Sequence, residues 1–194
     1  MSQVSLVAIM LWLAALACAA VAVWQGPLPI DRSFVIDWLL RYLFLFPLGL
    51  LGLWAFIGHV FFAEQSAASI GWAPSPFQYE VVANLGLGLA SLYAAFRGFE
   101  ARLAVAIAAA CFLIGAGFGH ISDIVVAGNL APGNVGPIMV TDFLTPIAIL
   151  GLLFFAKERR RPKSPATLAL EAELENARKA MRQYRDALSQ VGKD

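Results

Sequence analysis

Residues 34–62 read FVIDWLLRYLFLFPLGLLGLWAFIGHVFF, an apolar run in which Asp37, Arg41 and His59 are the polar interruptions. A helix needs about 20 apolar residues to cross the roughly 30 Å hydrocarbon core of a bilayer, and this run is longer than that. Because the hydrocarbon core holds no water, a spanning segment must satisfy its own backbone hydrogen bonds, as an α-helix does. The run therefore predicts a transmembrane helix that tilts or extends beyond the core.

Four further apolar segments lie on either side of it, at residues 4–24, 79–96, 102–127 and 138–156. Of the 194 residues, 60% are hydrophobic and 14% charged, whereas an ordinary soluble domain has about 25% charged residues. No Lys or Arg precedes the first segment, and it is longer than the apolar region of a signal peptide, so we expect a retained helix. We predict an all-α integral membrane bundle of five transmembrane helices.

The basic residues of the predicted bundle all lie on one side of it. The connections 65–78 and 128–136 contain no Lys or Arg. The positive-inside rule makes the basic side cytoplasmic. With five spans, the N-terminus is then outside and the C-terminus in the cytoplasm. The residues that define the basic side are Arg32, Arg41, Arg97, Arg102 and the run 157–163.

The C-terminal region differs from the bundle in composition. It holds ten of the 14 Lys and Arg residues, so the net charge of +1 averages two unlike regions and gives no support to nucleic-acid binding. A basic, Pro-containing linker at 157–165 leads into residues 166–194, where apolar residues alternate at steps of four and three. We predict a cytoplasmic heptad helix that self-associates or binds a partner helix; an amphipathic helix on the membrane surface is the alternative. The seam consists of Leu170, Leu174, Ala177, Met181, Tyr184, Leu188 and Val191.

Acidic residues without a basic neighbour gather at the predicted outer end of the bundle. His59 and His120 each lie 18 residues after a cytoplasmic-side arginine, which is about 27 Å along a helix. Glu80 and Asp142 approach this depth from the opposite chain direction. Unpaired carboxylates near hydrocarbon are costly, and they persist when a proton, cation or metal ion neutralises them.

Imidazole together with carboxylate suits Zn, Fe, Mn or Cu better than Mg or Ca, and facing helices of a bundle hold such ions. Solvation of the acids among the headgroups is an alternative, and haem ligation by the two histidines is another, which nearby carboxylates disfavour. We predict a metal site formed by His59, Glu80, His120 and Asp142, with Glu64, Asn84 and Asp123 as second-rank members.

A motif follows the second apolar segment: Ile70-Gly71-Trp72, then Ser75-Pro76-Phe77-Gln78, then Glu80, Asn84 and Gly86. With it, residues 59–95 resemble a family of small bacterial multi-pass membrane proteins of unknown function. The resemblance implies a protein of the bacterial inner (cytoplasmic) membrane and supplies no reaction. By size and helix count the chain is also loosely similar to the DoxX-like proteins.

The sequence thus indicates cation binding and no particular reaction, so the question of an enzyme stays open. A metalloenzyme would need an open coordination position, with the connections 65–78 and 128–136 as lids. Two rival functions remain: a cation channel or transporter, and a structural accessory subunit whose tail docks to a larger complex. Against deep permeation, no charged residue lies near the middle of any predicted span.

Overall fold

A computed structural model of the chain describes residues 3–26, 30–71, 77–156, 169 and 173–181, with the backbone alone at 3–4 and 77–81. The chain forms two compact units, Met1–Lys157 and Glu158–Asp194. The described ranges contain helices and no strand, which confirms the all-α fold. The elements of the first unit are α1 (Gln3–Trp24), α2 (Arg32–Leu43), a π-helical segment (Phe44–Leu50), α3 (Leu51–Phe61), α4 (Ala63–Ile70), α5 (Phe77–Ala95), α6 (Phe99–Ala127) and α7 (Pro137–Phe155).

Four helical stretches of the described chain are long and apolar enough to cross a membrane. The predicted segment 79–96 falls in α5, whose apolar part Val82–Ala95 is shorter than these four. Large apolar side chains cover the surface: Trp24, Val126 and Phe154 are each more than 80% exposed, which fits a lipid environment. The structure therefore indicates a membrane protein with four candidate spans. They are Ser5–Trp24, Arg32–Phe61, Phe99–Ala127 and Pro137–Phe155.

The second candidate span changes its helix type near its middle. Asp31 caps the start of α2, because its Oδ1 accepts a hydrogen bond from Phe34 N at 2.8 Å. Pro47 lies within the π-helical segment. A proline inside an α-helix lacks a donor and clashes with the carbonyl one turn earlier, and the wider π turn relieves that clash. The chain thus passes through the proline, and α3 continues the span.

Helices α3 and α5 approach each other backbone to backbone. A Cβ added at Gly88 would lie 3.0 Å from Leu53 N, and one added at Gly52 would lie 3.0 Å from the Cα of Gly88. Backbone atoms cannot move aside as a side-chain tip can. Small residues permit such contacts in lipid, where no hydrophobic force drives helices together. Gly88 therefore carries the packing in this part of α5, whereas a Cβ at Gly86 would meet nothing within 4 Å.

Replacing Gly88 by valine should lower the free energy of unfolding by about 1–3 kcal/mol, the usual cost of overpacking. The same change at Gly86 is the matched control, since it has the same helix propensity and no neighbour; its effect should stay within about 0.5 kcal/mol. Unfolding by titration with dodecyl sulfate in mixed micelles measures both. Equal losses at the two positions would contradict the contact between α3 and α5.

Buried Arg102 joins three helices at the basic side of the bundle. Its Nη1 donates to Asp37 Oδ1 at 2.6 Å, while Nε and Nη2 donate to the carbonyls of Ala94 and Ala95 at 3.3 and 3.0 Å. These carbonyls belong to the last turn of α5, where intrahelical donors run out. One guanidinium thus caps α5 and links it to α2 and α6. Asp37 thus pairs with an arginine of another helix.

The second unit is described as a helix over residues 173–181. Lys179 Nζ lies 3.0 Å from Glu175 Oε1, one turn away. Leu174, Ala177 and Met181 of the predicted seam are exposed. The predicted linker 157–165 and four seam residues lie outside the described residues. The four are Leu170, Tyr184, Leu188 and Val191.

Candidate functional site

Two connections close one end of the bundle and contact each other. α4 ends at Ile70 and α6 at Ala127, and the glycines that follow them, Gly71 and Gly128, have positive φ, a conformation that glycine adopts without strain. The loop that follows α6 binds the end of α4: Gly133 N donates to Ser69 O at 2.9 Å, and Asn129 Nδ2 donates to Ile70 O at 2.7 Å. The described parts of the two connections predicted as lids therefore form one layer. Residues 65–70 of the first connection belong to helix α4.

His120 and Asp142 meet beneath this layer. His120 on α6 and Asp142 on α7 are 7% and 6% exposed, and His120 Nε2 lies 3.6 Å from Asp142 Oδ2. Asp142 lies in the second turn of α7, beyond the first turn in which a helix N-terminus favours acids. The dipole of the helix N-terminus therefore does not account for this acid.

Asn134 fixes the orientation of the imidazole ring. Its side chain is fully buried, and its Nδ2 donates to Asn129 O at 2.9 Å. The Oδ1 atom therefore faces His120 and lies 2.6 Å from Nδ1. Because an amide oxygen only accepts hydrogen bonds, Nδ1 carries the proton and donates it. This contact turns Nε2 toward Asp142, the arrangement in which a second hydrogen bond selects the ring nitrogen that acts.

Asn129 organises the loop around this pair. Its Nδ2 donates to Asp123 Oδ2 near the end of α6 as well as to Ile70 O, and its Oδ1 accepts from Ala131 N at 3.0 Å. Asp123, a second-rank member of the predicted site, thus anchors the loop at the end of α6. The anchor holds Asn134 in place, since Asn134 bonds to the backbone of Asn129.

Helix α1 contacts α7, the helix that carries Asp142. Trp12 Nε1 donates to Thr145 Oγ1 at 3.1 Å, one turn along α7 from Asp142. Ser5 is fully buried, and its Oγ lies 2.8 Å from the place where a Cβ on Gly136 would be. α7 is therefore held in position by α1 near both its start and Asp142.

Of the predicted ligands, the structure brings His120 and Asp142 together. His59 on α3 and Asn84 on α5 are half-buried, and Glu64 is exposed in the first turn of α4. Glu64 lies beyond the second membrane helix, which ends at Phe61. The side chain of Glu80 lies outside the described residues. Among the side chains that the structure does describe, no three of the types His, Cys, Asp and Glu are grouped to hold a metal ion.

Asn129 and Asn134 were not predicted as site residues from the sequence. Both lie in the loop 128–136, where asparagine is common for local reasons, as a residue that bonds to nearby backbone in turns. The signal available in the sequence was the presence of two asparagines, with their polar side chains, within 14 residues of His120. Their role needed the fold of the loop to become apparent.

Comparison with known proteins identifies the family of the chain. The sequence model of a family of unknown function, DUF6790, matches residues 5–162. This match includes residues 59–95, on which the resemblance to an uncharacterised family rested, and confirms that prediction. Nothing in the comparison bears out the looser likeness to DoxX-like proteins. No curated protein matches the chain, and no solved structure does.

Proposed function

The chain belongs to this family of unknown function, and we propose that it binds a metal cation between His120 and Asp142. The observation that carries the proposal is the buried imidazole whose Nδ1 is bound to Asn134 and whose Nε2 faces Asp142. In metal sites the ligating histidine commonly donates its other N–H to such a partner, which fixes the ring.

The separation of the two facing atoms supports a shared ion. Nε2 and Oδ2 are 3.6 Å apart, longer than a hydrogen bond. Two ligands bound at about 2.0–2.1 Å with a tetrahedral angle lie roughly 3.3 Å apart. A small adjustment of either side chain therefore accommodates a Zn, Fe, Mn or Cu ion. Imidazole and carboxylate are both ligands for these ions.

Further ligands come from the residues predicted with this pair. Glu80 and Asn84 are four apart on α5, so one helical face carries both. His59 on α3 is half-buried and lies one helical turn before the layer formed by α4. We include Glu80, Asn84 and His59 in the proposed ligand set. Asp123 we assign to the loop anchor, and Glu64 to the exposed rim.

We also propose that α5 completes five membrane spans. It is 19 residues long and packs against α3 through Gly88. With α5 as a span, the basic residues lie in the cytoplasm, the metal site lies at the outer face of the inner membrane, and the tail is cytoplasmic. The exposed Leu174, Ala177 and Met181 fit a seam through which copies of the chain associate.

Thiol labelling tests the number and direction of the spans. In a chain without Cys18 and Cys111, Gln65→Cys in exposed α4 should react with an impermeant maleimide added outside intact cells, and Ser189→Cys should react after lysis. Five spans place the two positions on opposite sides of the membrane. Labelling of both from outside would mean that α5 does not cross, and the reverse pattern would invert the protein.

Elemental analysis of the purified native chain tests the metal site itself. We expect about one transition-metal ion per chain, retained through dialysis, because structural sites of this kind bind with large free energies. A chain that is free of metal, and that binds none of the four ions when they are supplied, would contradict the proposal. The pair of buried side chains would then share a proton.

A further inference from the structure

An apolar groove runs between α1 and α2, at the end of the bundle opposite to His120. Its volume is about 590 Å³, within the range of ligand sites. Small residues of α1 form one wall, among them Ala17, Cys18 and Ala22, and aromatic residues of α2 form the other. The groove therefore lies between the small side chains of α1 and the aromatic side chains of α2.

The aromatic residues of the groove form a continuous row of ring contacts. Phe34 meets Trp38 edge to face, with ring centroids 6.2 Å apart, and Trp38 stacks on Tyr42 at 5.7 Å. Phe46, in the π-helical segment beyond the groove, stacks on Tyr42 at 6.1 Å. Gly26 leaves the space in which the ring of Phe34 lies, since a Cβ at this position would fall 2.4 Å from that ring. An apolar wall of this length matches an extended hydrocarbon chain.

Arg41, whose positive charge is only partly neutralised by its neighbours, lies beside this wall. The guanidinium of Arg41 is 4.5 Å from the ring centroid of Trp38. Its acidic neighbour Asp37 lies 3.9 Å away but is bound at 2.6 Å by Arg102, so one carboxylate serves two arginines. Within the described residues, Arg41 Nε is buried and has no hydrogen-bond partner. The Arg41 side chain is 32% exposed, so an anionic oxygen can approach the guanidinium and complement its charge.

We propose that this groove binds an anionic phospholipid, with an acyl chain along the aromatic wall and the phosphate at Arg41. The apolar lining selects the chain, and the charge of Arg41 selects an anionic over a zwitterionic headgroup. The proposal is independent of the metal site, which involves other helices and the opposite end of the bundle.

The two cysteines report on the groove and on a reference surface. Cys18 lines the groove, whereas Cys111 is exposed on α6. In full-length protein carrying Cys111→Ser, phosphatidylglycerol added to the micelles should slow the alkylation of Cys18 by N-ethylmaleimide. The slowing should exceed that given by the same mole fraction of phosphatidylcholine by about fivefold, the contribution of one arginine near an anionic headgroup. Salt at 1 M should remove the difference.

Two arginine variants locate the effect. Arg41→Gln should abolish the difference between the two lipids, while Arg97→Gln, an exposed arginine stacked on Tyr93 at 4.3 Å, should preserve it. In chains carrying Cys18→Ser, the alkylation rate of Cys111 should be the same in both lipids and in both variants, which shows that the variants are folded. Equal protection by the two lipids in the native sequence would overturn the proposal, as would a difference that survives Arg41→Gln.

Discussion

Replacing His120 by alanine should release the proposed metal ion. The change removes the imidazole whose Nε2 faces Asp142 at 3.6 Å and leaves that carboxylate buried without its described ion-pair partner. Removing a partner that only orients a ligand already costs about 10–100-fold in metal affinity, so the loss of the ligand itself should cost at least about 100-fold. Elemental analysis, together with competition against a chelator of known affinity, measures the change.

Two further variants separate a ligand from its surroundings. Asn134→Leu should weaken binding by about 10–100-fold, because the imidazole loses the partner that fixes its proton on Nδ1. Thr145→Val is the matched control: it is buried one turn from Asp142 and bonded to Trp12, so it should alter stability and leave the metal content intact. Metal that survives both His120→Ala and Asp142→Ala would place the ion elsewhere. If it survives His120→Ala alone, the carboxylates hold it, and a hard ion such as Ca or Mg is the occupant.

Replacing Asp37 by asparagine should lower the free energy of unfolding by about 3 kcal/mol, the cost of leaving a buried charge without its partner. Arg102 is that charge: its side chain is 5% exposed and is held otherwise by two carbonyls. Titration with dodecyl sulfate in mixed micelles measures the loss. Glu100→Gln, an exposed acid in the first turn of α6, is the control and should change stability by less than about 0.5 kcal/mol.

The double variant Asp37→Asn/Arg102→Met distinguishes the ion pair from its surroundings. It removes both charges and keeps most of the apolar stem of the arginine. If the loss in the single variant comes from an unpaired guanidinium, the double variant should lose clearly less stability than the sum of the losses in Asp37→Asn and Arg102→Met. Purely additive losses would mean that Asp37 acts through contacts other than Arg102.

Hydropathy was sufficient to find the apolar helices, because burial in lipid requires long runs of apolar residues. It could not show that the second run contains a π-helical segment. Pro47 predicts a disturbance of the helix but does not indicate whether the helix kinks, breaks or widens into a π turn. Nor could hydropathy reveal α4. The residues AEQSAASI of α4 are short and mixed in polarity, and what ends the helix is the positive φ of Gly71, a property of the backbone.

Depth along the helices placed His120 and Asp142 in one layer, and the structure brings their side chains together. Depth is a single coordinate, however, and it leaves open which way each residue faces around its helix. Glu64 shows a second limit: the sequence does not reveal that the second membrane helix ends at Phe61, before this residue. Asn134 lies in a loop, where a rise per residue has no meaning, so its contact with His120 could not be predicted from spacing.

The π-helical segment gives the second span a property that a regular helix lacks. A wider turn absorbs extra residues locally, so a helical wheel drawn at 100° per residue through the whole span misplaces one of its halves. Deleting Pro47 would restore an unbroken α-helix, and both halves would keep their neighbours. The same deletion within α3 would rotate every later residue, His59 included, by about 100°. Residues 44–50 are thus a place where the chain can change its length while the groove before it and the glycine contact after it stay in phase.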